Sequence, residues 1–300
     1  VSASELRSNP DNFCYRHPDR QSFVLCQRCL RTICAECQTP MPVGVICPEC
    51  LREQQKSSGA PRPRRAPRVL RAVRADDSRP LVTYGIIGLT FFVFVVTLIP
   101  GVGLLARQTL ALIPPLLYPS FTGSFEPWRL FTVLLVHSGF WHVGLNMLAL
   151  WMLGRSLEPM LGRLRFLWLY LLSGLGGSVA AVLLGFMTPV VGASGAIFGL
   201  FGALLVIGRH IGANITGIAV ILGINLVLSF LPLLTGALGG TGIPQVSWQA
   251  HIGGLIVGAL VGTIYARTRA IRKRKLQSLL LVATAVGLIA LLAVPLAIYG

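Results

Sequence analysis

Seven apolar stretches, each long enough to cross roughly 30 Å of hydrocarbon, follow one another from Leu81 onward. They lie near residues 81–99, 141–160, 163–185, 193–209, 214–234, 248–266 and 277–298. Lipid offers the backbone no water to bond, so runs of this length are expected as transmembrane helices. A stretch near 102–118 is also apolar. Pro114, Pro115 and Pro119 interrupt it, and it is expected as part of a large interfacial loop. With 54% hydrophobic and 12% charged residues and a mean hydropathy of +0.72, the 300-residue chain is neither a one-core soluble enzyme nor a disordered polymer. The expected class is an all-α polytopic membrane protein. No cleavable signal sequence is expected ahead of the spans, because the first apolar run begins only at Leu81.

The formal charge of +16 comes from 26 Lys+Arg against 10 Asp+Glu. Such a balance often signals nucleic-acid binding. Here the basic residues flank the spans instead of covering a soluble face, so no nucleic-acid partner is expected. Seven arginines from Arg62 to Arg79 precede the first span. Arg155, Arg163 and Arg165 surround the second connection, Arg209 lies between the fourth and fifth spans, and six basic residues run from Arg267 to Lys275. The opposite connections hold Arg107 and Arg129, a ratio of seventeen to two. This bias puts the N-terminus in the cytoplasm and Gly300 outside. Residues 58–80, rich in Pro, Ala and Arg, read as an extended, self-repelling linker. The excess of Arg over Lys hints at a GC-rich bacterial genome, and the expected location is the plasma membrane.

All seven cysteines lie between Cys14 and Cys50. With one histidine they form Cys14-x2-His17, Cys26-x2-Cys29, Cys34-x2-Cys37 and Cys47-x2-Cys50. A two-residue gap lets both ligands of a pair face one metal from a tight turn, and four pairs suffice for two tetrahedral zinc ions. Spacing alone leaves the wiring open, although the four residues between the middle pairs favour an interleaved arrangement, first with third and second with fourth. A disulfide framework is disfavoured by the odd count and the reducing side on which the domain is expected. A stretch of roughly forty residues has too small a core to fold unaided, so metal binding is expected to supply the folding energy. The pattern Cys-x2-His-x8-Cys-x2-Cys-x4-Cys-x2-Cys resembles a B-box zinc finger, although its last pair is Cys-Cys where that family usually has two histidines. Such a module serves either as a structural knob or as the binding site of a protein partner.

Polar side chains inside apolar spans are costly and mark function by default. Three segments carry them: 128–148 with His142 and Asn146 on one helical face, 192–199 with Ser194 opening the fourth span, and 250–254 with His251 early in the sixth. Each has a duller reading, since serine among glycines serves close packing, histidine at a span end bonds the interface, and asparagine glues helices. Topology argues otherwise. Spans two, four and six all run inward under the charge-derived orientation, so the four residues share one shallow depth. Gly195 and Gly199 line one face of span four, while Gly254, Gly258 and Gly262 form a ladder on span six. Such faces let backbones approach until His251 reaches the Ser194 hydroxyl. The result is a nucleophile–base pair for acyl transfer, with His142 and Asn146 as oxyanion donors aided by the Ser194 backbone N–H. His137, His142, Ser138 and Asn146 are expected to keep the mouth of the cavity wet. Beyond residue 80 the only acids are Glu126 and Glu158. Glu158 lies twelve residues past Asn146, about 18 Å along a helix, and is out of reach. Glu126 lies in the outer loop and is left open, with nothing pointing to it. The expected chemistry is a Ser–His dyad with neutral His251 as base and no catalytic cofactor.

Taken together, Trp128-Arg129, His142-x3-Asn146, Gly192-x-Ser194-Gly195 and His251-x-Gly253-Gly254 resemble the signature set of rhomboid intramembrane serine proteases, over about residues 81–266. The resemblance implies a six-helix core and cleavage of peptide bonds within or beside a substrate's transmembrane segment. It implies Ser194 as nucleophile, His251 as base and His142 with Asn146 at the oxyanion hole. Substrates would be single-span membrane proteins whose helix unwinds near the outer face of the bilayer. Phe198 falls where several relatives carry a Tyr stacked on the catalytic His, so ring packing on His251 is expected without the hydroxyl. The seventh span is an addition seen in some rhomboids, and the zinc module is not part of the core pattern.

The expected organisation is a cytoplasmic double-zinc domain at 1–57, the linker at 58–80, the six-helix protease core at 81–266, and a basic loop with a seventh helix at 267–300. The glycine-rich segment 235–245, with span five, is expected to gate lateral substrate access. Two rivals stand beside the protease. An inactive rhomboid-like scaffold binding membrane proteins would typically lack the Ser or His. A small transporter or channel would carry charged or inverted-repeat features at mid-membrane.

Overall fold

A computed structural model describes residues 10–41, 44–57, 79–237 and 247–299. The chain divides into two units, Val1–Ala75 and Asp76–Gly300. Most of the expected linker, at 58–78, and of the expected gate, at 238–245, lies outside the described residues.

The first unit pairs β1 (Phe13–Cys14) with β2 (His17–Gln21) and β3 (Thr39–Pro40) with β4 (Val45–Ile46), both antiparallel, and ends in α1 (Pro48–Ser57). Among its described residues the buried cluster is six cysteines with Ile33 and Ile46. Two buried isoleucines contribute roughly 3–6 kcal/mol, whereas ordering each backbone residue costs about 1–2 kcal/mol. Tyr15, Met41, Val45 and Leu51 add only partly buried surface, so this unit has little apolar burial to stabilise it.

In the second unit a helix lies within every expected span. The chain runs through α2 (Leu81–Val96), α3 (Val102–Leu110), α4 (Phe140–Leu161), α5 (Arg163–Leu184), α6 (Ser194–His210), α7 (Thr216–Ala237), α8 (Trp248–Arg267) and α9 (Arg274–Leu291), and closes with α10 (Val294–Tyr299). By length and composition α5, α8 and the run Arg274–Tyr299 can each cross a membrane. Arg129–Leu135 with α4 forms a broken fourth, bent by 97°, and α2, α6 and the Thr216–Phe230 part of α7 are shorter apolar helices. Two expected spans end differently from their sequence limits, and proline is the reason. The first stops at Val96, short of Pro100. The seventh breaks between α9 and α10, because Pro295 has no N–H for the Leu291 carbonyl. The 102–118 stretch forms α3 and a short 3-10 turn at Pro114–Leu117 and does not span.

The centre of the second unit is α6, held between α5 and α8 at backbone distance. A methyl group added at Gly254 would strike the backbone of Gly195, and one at Gly258 the backbone of Gly199. On the other side, a side chain at Gly177 of α5 would meet the Gly195 backbone, and one at Gly199 would collide with Ser173. The glycine ladders thus bring these helices together as the spacing predicts. By contrast α9 leaves Leu279, Val282, Val286 and Ile289 exposed, an apolar face suited to lipid.

Glu158, 1% exposed, answers a different need. Its carboxylate accepts from Val82 N–H at 2.9 Å, Thr83 N–H at 2.8 Å and Thr83 Oγ1 at 2.7 Å. The first turn of α2 follows Pro80, which offers no side-chain cap. An anion from α4 therefore satisfies amides that lipid would leave unbonded.

Candidate functional site

Ser194 is the first residue of α6, and the chain reaches it through a braced loop. Arg129, 4% exposed, donates to the carbonyls of Gln108 and Ala111, each at 2.6 Å, and pairs with Glu126. Next in line, Leu112 and Val190 exchange backbone hydrogen bonds at 3.0 and 2.9 Å. Gly192 then donates to the Val133 carbonyl at 3.0 Å with φ +122°, and the His142 ring fills the space where its side chain would stand. Both the backbone angle and the close ring demand glycine here. Glu126 is accordingly tied to Arg129, and it is not among the residues that line the cavity beside Ser194 and His251.

The Ser194 Oγ lies 2.7 Å from His251 Nε2. His251, 4% exposed, sits in the first turn of α8, which Ser247 caps by accepting from the Ala250 N–H. Phe198, one turn along α6 from Ser194, stacks on the imidazole with centroids 4.0 Å apart and planes 10° from parallel. That packing meets the expectation for a ring without a hydroxyl.

His142, Asn146, Ser194 and His251 line one cavity of about 520 Å³. The Nδ1 of His142 accepts from the Ser138 backbone N–H at 3.4 Å and lies 3.0 Å from Ser138 Oγ. Its remaining proton therefore belongs on Nε2, the atom beside Gly192. Asn146 is less free than the sequence suggests, since its Nδ2 donates to the His142 carbonyl at 2.8 Å, leaving one amide hydrogen uncommitted. His137 corrects the picture of a wet mouth. It is fully buried, and its Nε2 accepts from Ala193 N–H at 3.4 Å. The cavity wall is mostly apolar, with Leu145 and Met152 on α4 facing Ile218 and Leu228 on α7.

Sequence reasoning missed one contact. The other ring nitrogen of His251, Nδ1, lies 2.7 Å from the Oγ of Ser229 on α7. The available signal is a serine in a mostly apolar span, one turn after Asn225.

In the first unit the eight predicted ligands fall into two groups, Cys14–His17–Cys34–Cys37 and Cys26–Cys29–Cys47–Cys50, each with ligand atoms within 4.8 Å of one another. This is the interleaved pairing. Tetrahedral zinc with bonds of about 2.3 Å to sulfur and 2.0 Å to nitrogen places ligands about 3.5–3.8 Å apart. The Cys29 and Cys47 sulfurs are 3.8 Å apart, and His17 Nδ1 lies 3.8, 3.3 and 3.5 Å from the sulfurs of Cys14, Cys34 and Cys37. A disulfide needs about 2.05 Å. Burial opposes ionisation of Cys14, but the N–H groups of Cys34 and Arg16 outweigh it and lower the thiol to about 6. In Cys37, burial and then the Cys14 and Cys34 sulfurs push the thiol up to about 11. So many crowded sulfurs ionise together only around a cation, and both groups fit a metal ion.

In this apolar helical unit the Ser194 hydroxyl and the His251 imidazole thus meet across two glycine-faced helices. Residues 124–268 match the family profile described as Rhomboid domain. The chain is similar to Rhomboid protease GluP of Bacillus subtilis, 36% identical over 222 residues, which is 71% of this chain and 40% of that protein. It is also similar to RHOMBOID-like protein 1 of Arabidopsis thaliana, 40% identical over 140 residues, or 47% and 35% of the two chains. A third relative, Putative rhomboid protease YdcA of Bacillus subtilis, is 46% identical over 81 residues, 27% of this chain and 41% of its own. This chain belongs to the rhomboid family and spans less than half the length of these curated relatives.

Proposed function

We propose that this chain is an intramembrane serine endopeptidase that cleaves single-span membrane proteins near the outer face of the bilayer. The observation that carries the reading is the 2.7 Å contact between Ser194 Oγ and His251 Nε2 at a cavity shared with His142 and Asn146. Ser194 attacks the scissile carbonyl carbon while its proton passes to His251 Nε2. The oxyanion accepts from His142 Nε2–H and from the free Asn146 amide hydrogen. His251 then gives the proton to the leaving amine, and the C–N bond breaks. Water enters, loses a proton to His251 and hydrolyses the acyl-enzyme, and Ser194 recovers its proton.

The apolar walls from α4 and α7 suit a lipid-soluble peptide segment, and the α7 side is the route by which we propose it enters. Cross-linking span five to the 235–245 segment through a cysteine pair is expected to stop cleavage of membrane substrates. Unchanged turnover overturns the gate. The organisation we propose is the double-zinc, B-box-like domain at 1–57, linker at 58–80, protease core at 81–266 and seventh-helix region at 267–300. The positive-inside bias supports a cytoplasmic N-terminus, and the excess of Arg over Lys supports a bacterial plasma membrane. Zinc fits both Cys/His groups, where it would cross-link the fold and take no part in hydrolysis.

Fluorophosphonate labelling of the detergent-purified protein tests the assignment. Label is expected on Ser194 and is expected to vanish in Ser194→Ala and His251→Ala. A folded protein that takes no label belongs instead to the inactive scaffold class.

A further inference from the structure

We propose that Ser229 is a positioning residue for His251, holding the imidazole in its Nδ1–H form by a hydroxyl where other catalytic histidines rest on a carboxylate. The proposal rests on the protease reading above. Ser229 is 3% exposed, and its Oγ lies 2.7 Å from His251 Nδ1 and 2.7 Å from the carbonyl of Asn225, one turn earlier on α7. A carbonyl can only accept, so the Ser229 proton is committed to Asn225. The lone pair left on Ser229 faces Nδ1, which must then carry the ring's proton. Neutral imidazole has a single N–H, so Nε2 is left with its lone pair toward the Ser194 hydroxyl. Each donor in the series meets one acceptor: Ser194 O–H to Nε2, Nδ1–H to Ser229, Ser229 O–H to Asn225. When His251 takes the proton from Ser194 the imidazolium keeps both bonds. The Nδ1–H bond becomes charge-assisted and strengthens.

A hydroxyl suits this position because it orients the ring without burying a charge in lipid. Phe230, the next residue, packs on Trp248 at the start of α8 with centroids 5.3 Å apart, so α7 is pinned to α8 beside the contact. Among the residues lining the cavity, His142 on α4 is the other titratable group, and none is formally charged.

The test compares the full-length chain with Ser229→Ala and Ser229→Thr in the same detergent, reading the second-order rate of fluorophosphonate labelling at Ser194 and the melting temperature. Losing one buried hydrogen bond to the base corresponds to a rate about three- to tenfold lower. Ser229→Ala is expected to slow by that factor. Ser229→Thr, which restores the hydroxyl and the bond to residue 225, is expected to recover most of the rate. If the alanine variant does not fold, Ser229→Cys, close in size but a weak acceptor, replaces it and is expected to slow similarly. A folded Ala or Cys variant that labels at the parental rate overturns the proposal, as does slowing that Thr leaves uncorrected. A parental protein that takes no label at Ser194 overturns the protease reading and this role with it.

Discussion

The His142 ring fills the space that Gly192 leaves open and is fixed by Ser138, whereas the Asn146 amide is half committed to the backbone. The two proposed oxyanion donors are therefore unequal. His142→Ala is expected to lower kcat for a peptide substrate by about 10²–10³, the usual cost of one lost donor, and Asn146→Ala by less. Equal losses in steady-state turnover count against the tautomer derived for His142. Phe198 orients the base by stacking, an interaction of about 0.5–1.5 kcal/mol. Phe198→Ala is expected to slow labelling at Ser194 several-fold, and Phe198→Tyr to leave it near parental. At this scale Ser194, His251, His142 and Asn146 stand out in the sequence, because a polar group in a lipid-spanning run is rare, whereas Phe198 comes only from the family resemblance. Ser229, a serine in an apolar span, is visible in the sequence, but its contact with His251 depends on which face of α7 meets α8, and that is set only by packing.

At the scale of helices, the dyad depends on how closely α6 and α8 approach. Gly258→Leu places a side chain against the Gly199 backbone, while Gly287 on α9 has nothing within 4 Å of where a side chain would begin. Gly258→Leu is expected to cost at least 1–3 kcal/mol and to abolish labelling, and Gly287→Leu to leave both unchanged. Thermal melting in detergent and the labelling rate check the pair together. The four-residue glycine spacing made this interface readable in advance, since small residues at that interval have few other uses in a span. Helix ends were less readable. Spacing places Glu158 too far from the site to act there, and only the packed structure brings its carboxylate to the start of α2. Arg129 likewise entered as part of a motif, and its buried bonds to Gln108, Ala111 and Glu126 emerge only when the loop is folded.

Across the whole molecule the two units are held by different physics, one by apolar burial and close-packed helices, the other by two Cys/His groups around a very small core. Elemental analysis of the purified protein is expected to give two zinc ions per chain. A strong chelator is expected to unfold residues 10–57, seen as rapid proteolysis there, while Ser194 still takes fluorophosphonate. Substrate cleavage with and without residues 1–57 then reads any control the first unit exerts. Local composition alone determined that the second unit is helical and where its apolar helices fall, and which Cys and His residues offer themselves as metal ligands, because hydropathy, positive charge and Cys-x2-Cys spacing act over a few residues. The metal wiring, the bend before α4, the partners of Glu158 and Arg129, and the Ser229–His251 contact were decided by tertiary structure. Each depends on distances between residues far apart in the chain, and close packing is what sets those distances.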